Sequence, residues 1–337
     1  MIRINTDPDR RVAVLYENDA WLDDFFAKLQ DRGISYHPVR MDDAAVLLDD
    51  PPAFPVVFNR VSPSSYLRGH GPAIAFARSL LDVLAENGSR VINGSQAFAI
   101  ETSKIAQLLL LRRLGVPGPR TILFNNRQGI AQAARTFRFP AVLKPDCGGS
   151  GAFIRRVTSY DELMTLLADR RAVFGPGHVL LLQEEFEAAD ETVVRTEFVD
   201  GELVCAMRVR AVNTYNLCPA ERCDRKVADA ASAETPRVEF EAYPDIAPEA
   251  VAQAREIVRA ARLDVGGVEF VEGDDGRRTF FDINATSVYR SDVCTALGID
   301  ALGRLVDFVD RELRKEIAKP GGHTWPRQRM QSSLAVG

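Results

Sequence analysis

The sequence predicts an α/β region built on a parallel sheet, followed by α+β regions with antiparallel strand pairs. Three observations predict this. Short apolar runs alternate with helical periodicities over residues 11–95, the pattern of parallel strands joined by helices. Further on, strand-like runs flank Asp200-Gly201 and Asp275-Gly276, and Asp-Gly favours a two-residue hairpin turn. The chain has 337 residues, enough for two or three compact units.

Arg11–Tyr16 reads as a short apolar strand. Residues 19–31 place Trp21, Leu22, Phe25, Phe26 and Leu29 at helical spacing, and Gly33 ends that helix. Ser35–Val39 and Pro55–Phe58 read as strands. The loop that follows carries Asn59, Arg60 and Ser62 at a strand C-terminal end, where open α/β sheets take ligands. A plain polar loop and a substrate contact both fit those residues. Pro72–Glu86 reads as a helix stopped by Asn87-Gly88, and Val91-Ile92 as a fourth strand. Thr102–Leu114 is an amphipathic helix ending at Gly115-Val116-Pro117. After it come an extended run Thr121–Phe124, a helix near 130–136, a strand Pro140–Lys144, a glycine turn Gly148–Gly151 and a returning strand Ala152–Val157. A helix Tyr160–Asp169 and a buried strand Val179–Phe186 follow. Glu191–Val199 and Glu202–Val209 pair across Asp200-Gly201, and that turn sets Arg195 opposite Ala206, with Arg208 on the same face. Residues 211–238 lack periodicity and read as a long functional or disordered loop. Ala250–Arg262 is a helix leading into the last hairpin, and Thr295–Ile317 reads as one helix. The Pro-, Gly-, Gln- and Ser-rich tail from Lys319 is expected to be mobile.

Composition excludes several classes. A net charge of -5 gives no reason to expect nucleic acid, and no apolar run approaches a membrane span. Residues 1–8 lack the apolar core of a signal peptide. Five cysteines in a chain of this size argue against a disulfide framework and for a reducing cytoplasm. Cys218 and Cys223 match no strong zinc spacing, and no histidine lies near them.

The final hairpin carries the most chemistry. If Asp275-Gly276 is a two-residue turn with positive φ at both residues, Glu269 faces Asp282 with Cβ atoms ~5 Å apart. Like charges so placed are unfavourable unless a cation joins them, and hard cations prefer carboxylate oxygens. Asn284 shares that face, and the residue opposite it is Gly267, which has no side chain to fill the space. The second signal is Lys144 at a strand end before Gly148, Gly149, Ser150 and Gly151. Glycine N–H groups can close over phosphate oxygens, and a lysine adds a point charge. It is not a Walker A loop, because the lysine precedes the glycines. Lys104 opens the helix at 102–114, against the helix dipole unless an anion neutralises it.

Taken in order, these pieces resemble the ATP-grasp superfamily over about residues 95–310. The matching residues are Lys104 in Glu101-Thr-Ser-Lys-Ile-Ala, Gly115-Val-Pro-x-Pro-Arg120-Thr, Phe139-Pro-Ala-Val-Leu-Lys144-Pro, Gly148-Gly-Ser-Gly, Leu182-Gln-Glu-Glu-Phe186, and Glu269 followed by Asp282-Ile-Asn284. Residues 11–94 look like the Rossmann-like domain that precedes the ATP-grasp fold in carboxylate–amine ligases. The resemblance implies a pre-ATP-grasp domain at 1–97, a central and lid subdomain at 98–186, a C-terminal subdomain at 187–318 and a tail at 319–337. It implies ATP held by Lys104, Lys144 and Gly148–Gly151, with Gln183, Glu184 and Phe186 at the adenine and Glu191 at the ribose. It implies Mg²⁺, with Mn²⁺ as an alternative, on Glu269, Asp282 and Asn284. The first two acid types are exchanged relative to the usual order. Val193-Val-Arg195 is a partial match to the D-I-R motif of glutamate-ligase-like members, and the loop after Asn284 lacks the usual Pro or Gly.

The implied function is an ATP-dependent carboxylate–amine ligase working through an acyl phosphate on an amino acid or short peptide. Arg195, Arg208 and Arg290 are the candidates for holding the acyl phosphate or a substrate carboxylate. The implied partners are small carboxylate and amine substrates, and a homodimer is a further expectation. An ATP-grasp small-molecule kinase, which makes ADP without free phosphate, is one alternative. A nucleotide-binding regulatory protein without turnover is another.

Overall fold

The computed structural model describes residues 12–48, 54–168, 175–185, 192–212, 214, 215, 217 and 237–319. Phe186, Glu191, Cys218, Cys223, most of 211–238 and residues 320–337 lie outside them.

Three sheets carry the chain. The first is parallel, in the order β2-β1-β3-β4, from β1 (Val12–Tyr16), β2 (Tyr36–Arg40), β3 (Val56–Asn59) and β4 (Arg90–Ile92). β1 and β3 are wholly buried, as expected of apolar strands covered on both faces. Their connections carry α1 (Asp23–Asp31) and α2 (Pro72–Glu86), as the alternating pattern predicts. A short 3₁₀ segment, Pro63–Arg68, follows β3 and is capped by Ser62, whose hydroxyl accepts from the Ser64 N–H.

The second sheet is antiparallel, in the order β5-β8-β6-β7: β5 (Thr121–Phe124), β6 (Ala141–Pro145), β7 (Arg155–Val157) and β8 (Leu180–Glu184). α5 (Arg127–Ala133) and α6 (Tyr160–Ala168) accompany it. Two helices join this sheet to the first. α3 (Ser95–Glu101) is absent from the sequence expectation, and α4 (Lys104–Arg113) is the helix expected over 102–114, though it is not amphipathic: Gln107 is buried and Leu109 exposed.

The third sheet has the order β11-β10-β9-β12-β13. Its strands are β9 (Thr192–Val199), β10 (Glu202–Val212), β11 (Arg237–Ala242), β12 (Val265–Glu272) and β13 (Arg278–Asn284). β11 occupies the edge and begins inside the stretch read as a loop. α7 (Pro248–Ala260) packs its apolar stripe on β9, β10 and β12. The single helix expected over 295–317 is two, α8 (Ser291–Ala296) and α9 (Ala301–Ile317), because Gly298 takes φ 66° and ends the first. No described helix is long and apolar enough to cross a membrane.

Both hairpins correct the sequence reading. At Asp200-Gly201 both residues have positive φ, 53° and 74°, as a type I′ turn requires. A bulge at Val204 then shifts the register, so Arg195 lies opposite Met207 rather than Ala206. Arg208 therefore faces away from Arg195. In the final hairpin Gly276 alone takes positive φ, 72°, and the loop is longer than two residues, with the Gly273 N–H donating to the Arg277 carbonyl. A bulge at Phe281 offsets that extra residue, and Glu269 regains Asp282 as its partner.

Asn93 ties the first sheet to the third. This fully buried residue, at φ 52°, donates from Nδ2 to the Val265 and Ala285 carbonyls and accepts from the Asp264 and Val265 N–H groups. It thereby fixes the start of β12 and the end of β13 against β4.

Candidate nucleotide and metal site

A cavity of about 500 Å³ lies where the three sheets meet. Trp21, Ser62 and Pro63 line it from the first region, Lys144, the Gly148–Gly151 turn and Gln183 from the second, and Arg195, Glu269, Asp282 and Asn284 from the third.

Asp146 brings the two lysines together. It follows β6, and its carboxylate accepts from the Ile105 N–H at 2.9 Å and from the Ser103 hydroxyl at 3.1 Å. Its carbonyl accepts from the Lys104 N–H. The N-terminus of α4 is thus pinned to the end of β6, two residues from Lys144. An acidic group there complements the helix dipole that Lys104 opposes. The Lys104 ammonium meets Asp282. Burial would lower the Lys104 pKa, but Asp282 outweighs it and holds the value above normal.

Lys144 differs. It is only 7% exposed, and its ammonium makes no hydrogen bond or ion pair with the described residues. Burial, reinforced by Lys104, pulls its pKa down to about 8. Beside it, the glycine turn packs on the 3₁₀ segment of the first region: a Cβ on Gly149 would lie 2.9 Å from the Ser64 Cβ.

Glu269 and Asp282 are opposed on β12 and β13, and Asn284 Nδ2 donates to Glu269 Oε1 at 3.4 Å. Arg195, 4% exposed, bridges Glu269 and Glu197 from Nη1 and Nε. Burial pushes the Glu269 carboxyl up to about 7, against the pull of Arg195 and with the push of Asp282. Burial also raises Asp282, but Lys104 prevails and its net shift is downward. Among the described residues no group of three or more His, Cys, Asp or Glu side chains is placed to hold a metal ion. Two carboxylates and an amide on one face still form a hard oxygen donor set. Their present counter-ions are side chains that could turn to phosphate instead. The residues fit a divalent cation on those grounds.

Other expectations divide. Gln183 lines the cavity, its Nε2 donating to Thr121 Oγ1 at 3.1 Å, whereas Glu185 rather than Glu184 contributes to the lining. Arg208 lies 4.2 Å over the Tyr243 ring and Arg290 4.6 Å over Phe240, with Arg290 also paired to Asp292, and neither lines the cavity. Sequence reasoning missed Glu101, Glu197 and Asp146. Glu101 accepts from the Ala285 N–H and, at 2.6 Å, from Thr286 Oγ1. Glu197 is fully buried, and its Oε2 fills the space over Gly267, where a Cβ would lie 2.8 Å from it. The vacant position opposite Asn284 was the only sequence signal for that carboxylate.

No protein-family model matches the chain. Solved structures do. The ATP-grasp ligase PsnB, complexed with a minimal precursor, is 20% identical, covering 90% of this chain and 100% of its own, at a TM-score of 0.63. A RimK-domain ATP-grasp protein from Sphaerobacter thermophilus is 19% identical, covering 88% and 99%, at 0.62. D-alanine–D-alanine ligase from Bacillus anthracis, complexed with ATP, is 15% identical, covering 91% and 98%, at 0.62. The chain has the ATP-grasp fold.

Proposed function

We propose that the chain is an ATP-dependent carboxylate–amine ligase, with an N-terminal Rossmann-like domain and the two ATP-grasp subdomains closing on the cavity. The observation that carries this reading is Lys144, a buried cation that has no ion-pair partner among the described residues and faces a cavity lined by a glycine turn. A buried charge is costly unless paired, so the site suits a polyanion. The fold neighbours support the choice of ligand, since PsnB has been crystallised with Mg and ADP and the Bacillus anthracis ligase with ATP.

In this reading Lys104 and Lys144 hold phosphate oxygens, and the N–H groups of Gly148–Gly151 cover them. Four carboxylates, Glu101, Glu197, Glu269 and Asp282, stand against Lys104, Lys144, Arg60 and Arg195. The cluster is close to neutral, so an added polyphosphate calls for added cations. Glu269, Asp282 and Asn284 would hold Mg²⁺, or Mn²⁺, which supplies positive charge to phosphate oxygens as charge moves between them.

A carboxylate oxygen of the acid substrate attacks the γ-phosphorus, and the bond to the β,γ-bridging oxygen breaks to release ADP. The acyl phosphate then loses phosphate to an amine, whose proton leaves to solvent or base, and an amide remains. Arg195, fixed by Glu197 and Glu269, is placed to offset charge on the acyl phosphate. Arg208 and Arg290 are left out of that role by their stacking on aromatic rings. The turn against Ser64 excludes water that would hydrolyse the intermediate.

The test is a screen of paired acids and amines for ADP and phosphate release, with mass analysis of products. A ligase releases both, and a kinase releases ADP alone. Asp282→Asn is expected to abolish Mg²⁺-dependent ADP release. Near-normal turnover in that variant would sink the metal assignment.

A further inference from the structure

Trp21 is the largest side chain that the first region gives to the cavity, and phosphate and metal handling make no use of it. Its spacing groups it with the apolar residues of the first helix. In the structure it ends a short 3₁₀ turn, Asp19–Trp21, just before α1, and none of the residues in that turn is buried. The turn follows the C-terminal end of β1, where an open parallel sheet takes ligands. The Arg68 guanidinium lies 5.0 Å from the Trp21 ring centroid. Arg68 is itself fixed, with Nε donating to buried Glu17 at 3.0 Å and Nη2 to Ser64 Oγ at 3.2 Å. The ring is therefore held beside the 3₁₀ segment that begins at Pro63. Pro63 lines the cavity too, and so does Val288 from the loop after β13. Arg60 draws that loop in, its Nη2 donating to the neighbouring Ser287 carbonyl at 2.7 Å. Ser62 completes the lining from the first region, and its hydroxyl is engaged by the Ser64 N–H and Oγ.

Among the described residues this wall brings no charged side chain to the cavity. Apart from Lys144, the charged groups that line the rest of it are already engaged. Lys104 pairs with Asp282, Arg195 with Glu269 and Glu197, and Glu185 with Arg156. Glu101 accepts from the Ala285 N–H and Thr286. A charged substrate group pressed on the wall would lose hydration and meet no counter-charge. An aromatic ring loses little there and gains offset or edge-on contact with the indole. We propose that Trp21, Pro63 and Val288 form a specificity pocket for an uncharged aromatic side chain of one substrate. Arg68 and Glu17 act as positioning residues that hold the indole in place. The inference rests on the ligase reading only in calling the occupant a substrate.

Isothermal titration calorimetry on the full chain, with Mg²⁺ and ADP present to occupy Lys144, tests it. The probes are L- and D-phenylalanine, each compared with alanine, glutamate and lysine of the same hand. One enantiomer of phenylalanine is expected to bind about tenfold more tightly than all three. Trp21→Ala is expected to lose most of that contrast, and Trp21→Phe, which keeps a ring, to retain most of it. Trp325→Phe leaves Trp21 as the one tryptophan of the chain, and its fluorescence should change on adding phenylalanine and not on adding alanine. A contrast below about threefold, no binding of either phenylalanine, tighter binding of glutamate or lysine, or an unaltered contrast in Trp21→Ala overturns the proposal. Loss of ADP binding would instead count against the nucleotide site, because the phenylalanine–alanine contrast is also read without nucleotide.

Discussion

Replacing Lys144 with methionine should make the empty protein more stable and bind nucleotide less well. The lysine sits near the end of β6, buried and with no ion-pair partner among the described residues, and its pKa is drawn from 10.5 to about 8 by burial and by Lys104. A base whose folded pKa is depressed costs stability below that pKa, and the cost is relieved as pH rises toward the unfolded value. At about 1.36 kcal/mol per pH unit, the gap from 10.5 to about 8 corresponds to about 3 kcal/mol at pH 7. Methionine keeps the apolar stem and removes the charge, so the variant should recover up to that amount. A hydrogen bond to a charged group contributes about 1.5–3 kcal/mol. Affinity for ADP with Mg²⁺ should therefore fall roughly tenfold to a hundredfold. Urea unfolding followed by circular dichroism reads the first effect, and calorimetry reads the second. A variant less stable than the parent, with ADP affinity within about twofold, would refute the view of Lys144 as a cation held for an anion.

The same lysine predicts opposite pH trends in the unaltered protein. Between pH 8 and 10.5 its share of apo stability should rise while ADP affinity falls, and Lys144→Met should flatten both trends. Gly267→Ala should destabilise by about 1–3 kcal/mol through overpacking, because the new Cβ would meet Glu197 Oε2 at 2.8 Å and the Thr196 carbonyl at 3.0 Å. Gly177→Ala, with nothing within 4 Å, is its control and should lie within about 0.5 kcal/mol of the parent in urea unfolding.

Strand and helix placement was largely legible, because periodicity and turn residues act locally. The exceptions have local causes as well. Gly298 split one expected helix by taking φ 66°, and β11 at the sheet edge, though it alternates polar and apolar residues, is only six residues long and begins inside the stretch read as a loop. The ATP-grasp motifs located Lys104, Lys144, the glycine turn, Glu269, Asp282 and Asn284 around one cavity. Glu101, Glu197 and Asp146 were not legible. Glu101 and Asp146 are single acids whose partners lie far along the chain, Ala285 and Thr286 for the first and Ile105 for the second, while Glu197 pairs with nearby Arg195 but meets Gly267 only across the sheet.

By itself the sequence determined which residues turn. Asp200-Gly201 adopts the backbone its chemistry favours, and a glycine supplies the positive φ in the last hairpin. Tertiary structure decided which residues then face each other. One bulge, at Val204, moved Arg208 off the face of Arg195, while another, at Phe281, restored Glu269 to Asp282 after the turn had displaced it. Turn conformation follows from the φ preferences of two or three residues. A bulge answers to packing across the whole sheet, where a slip by one residue exchanges the buried and exposed faces.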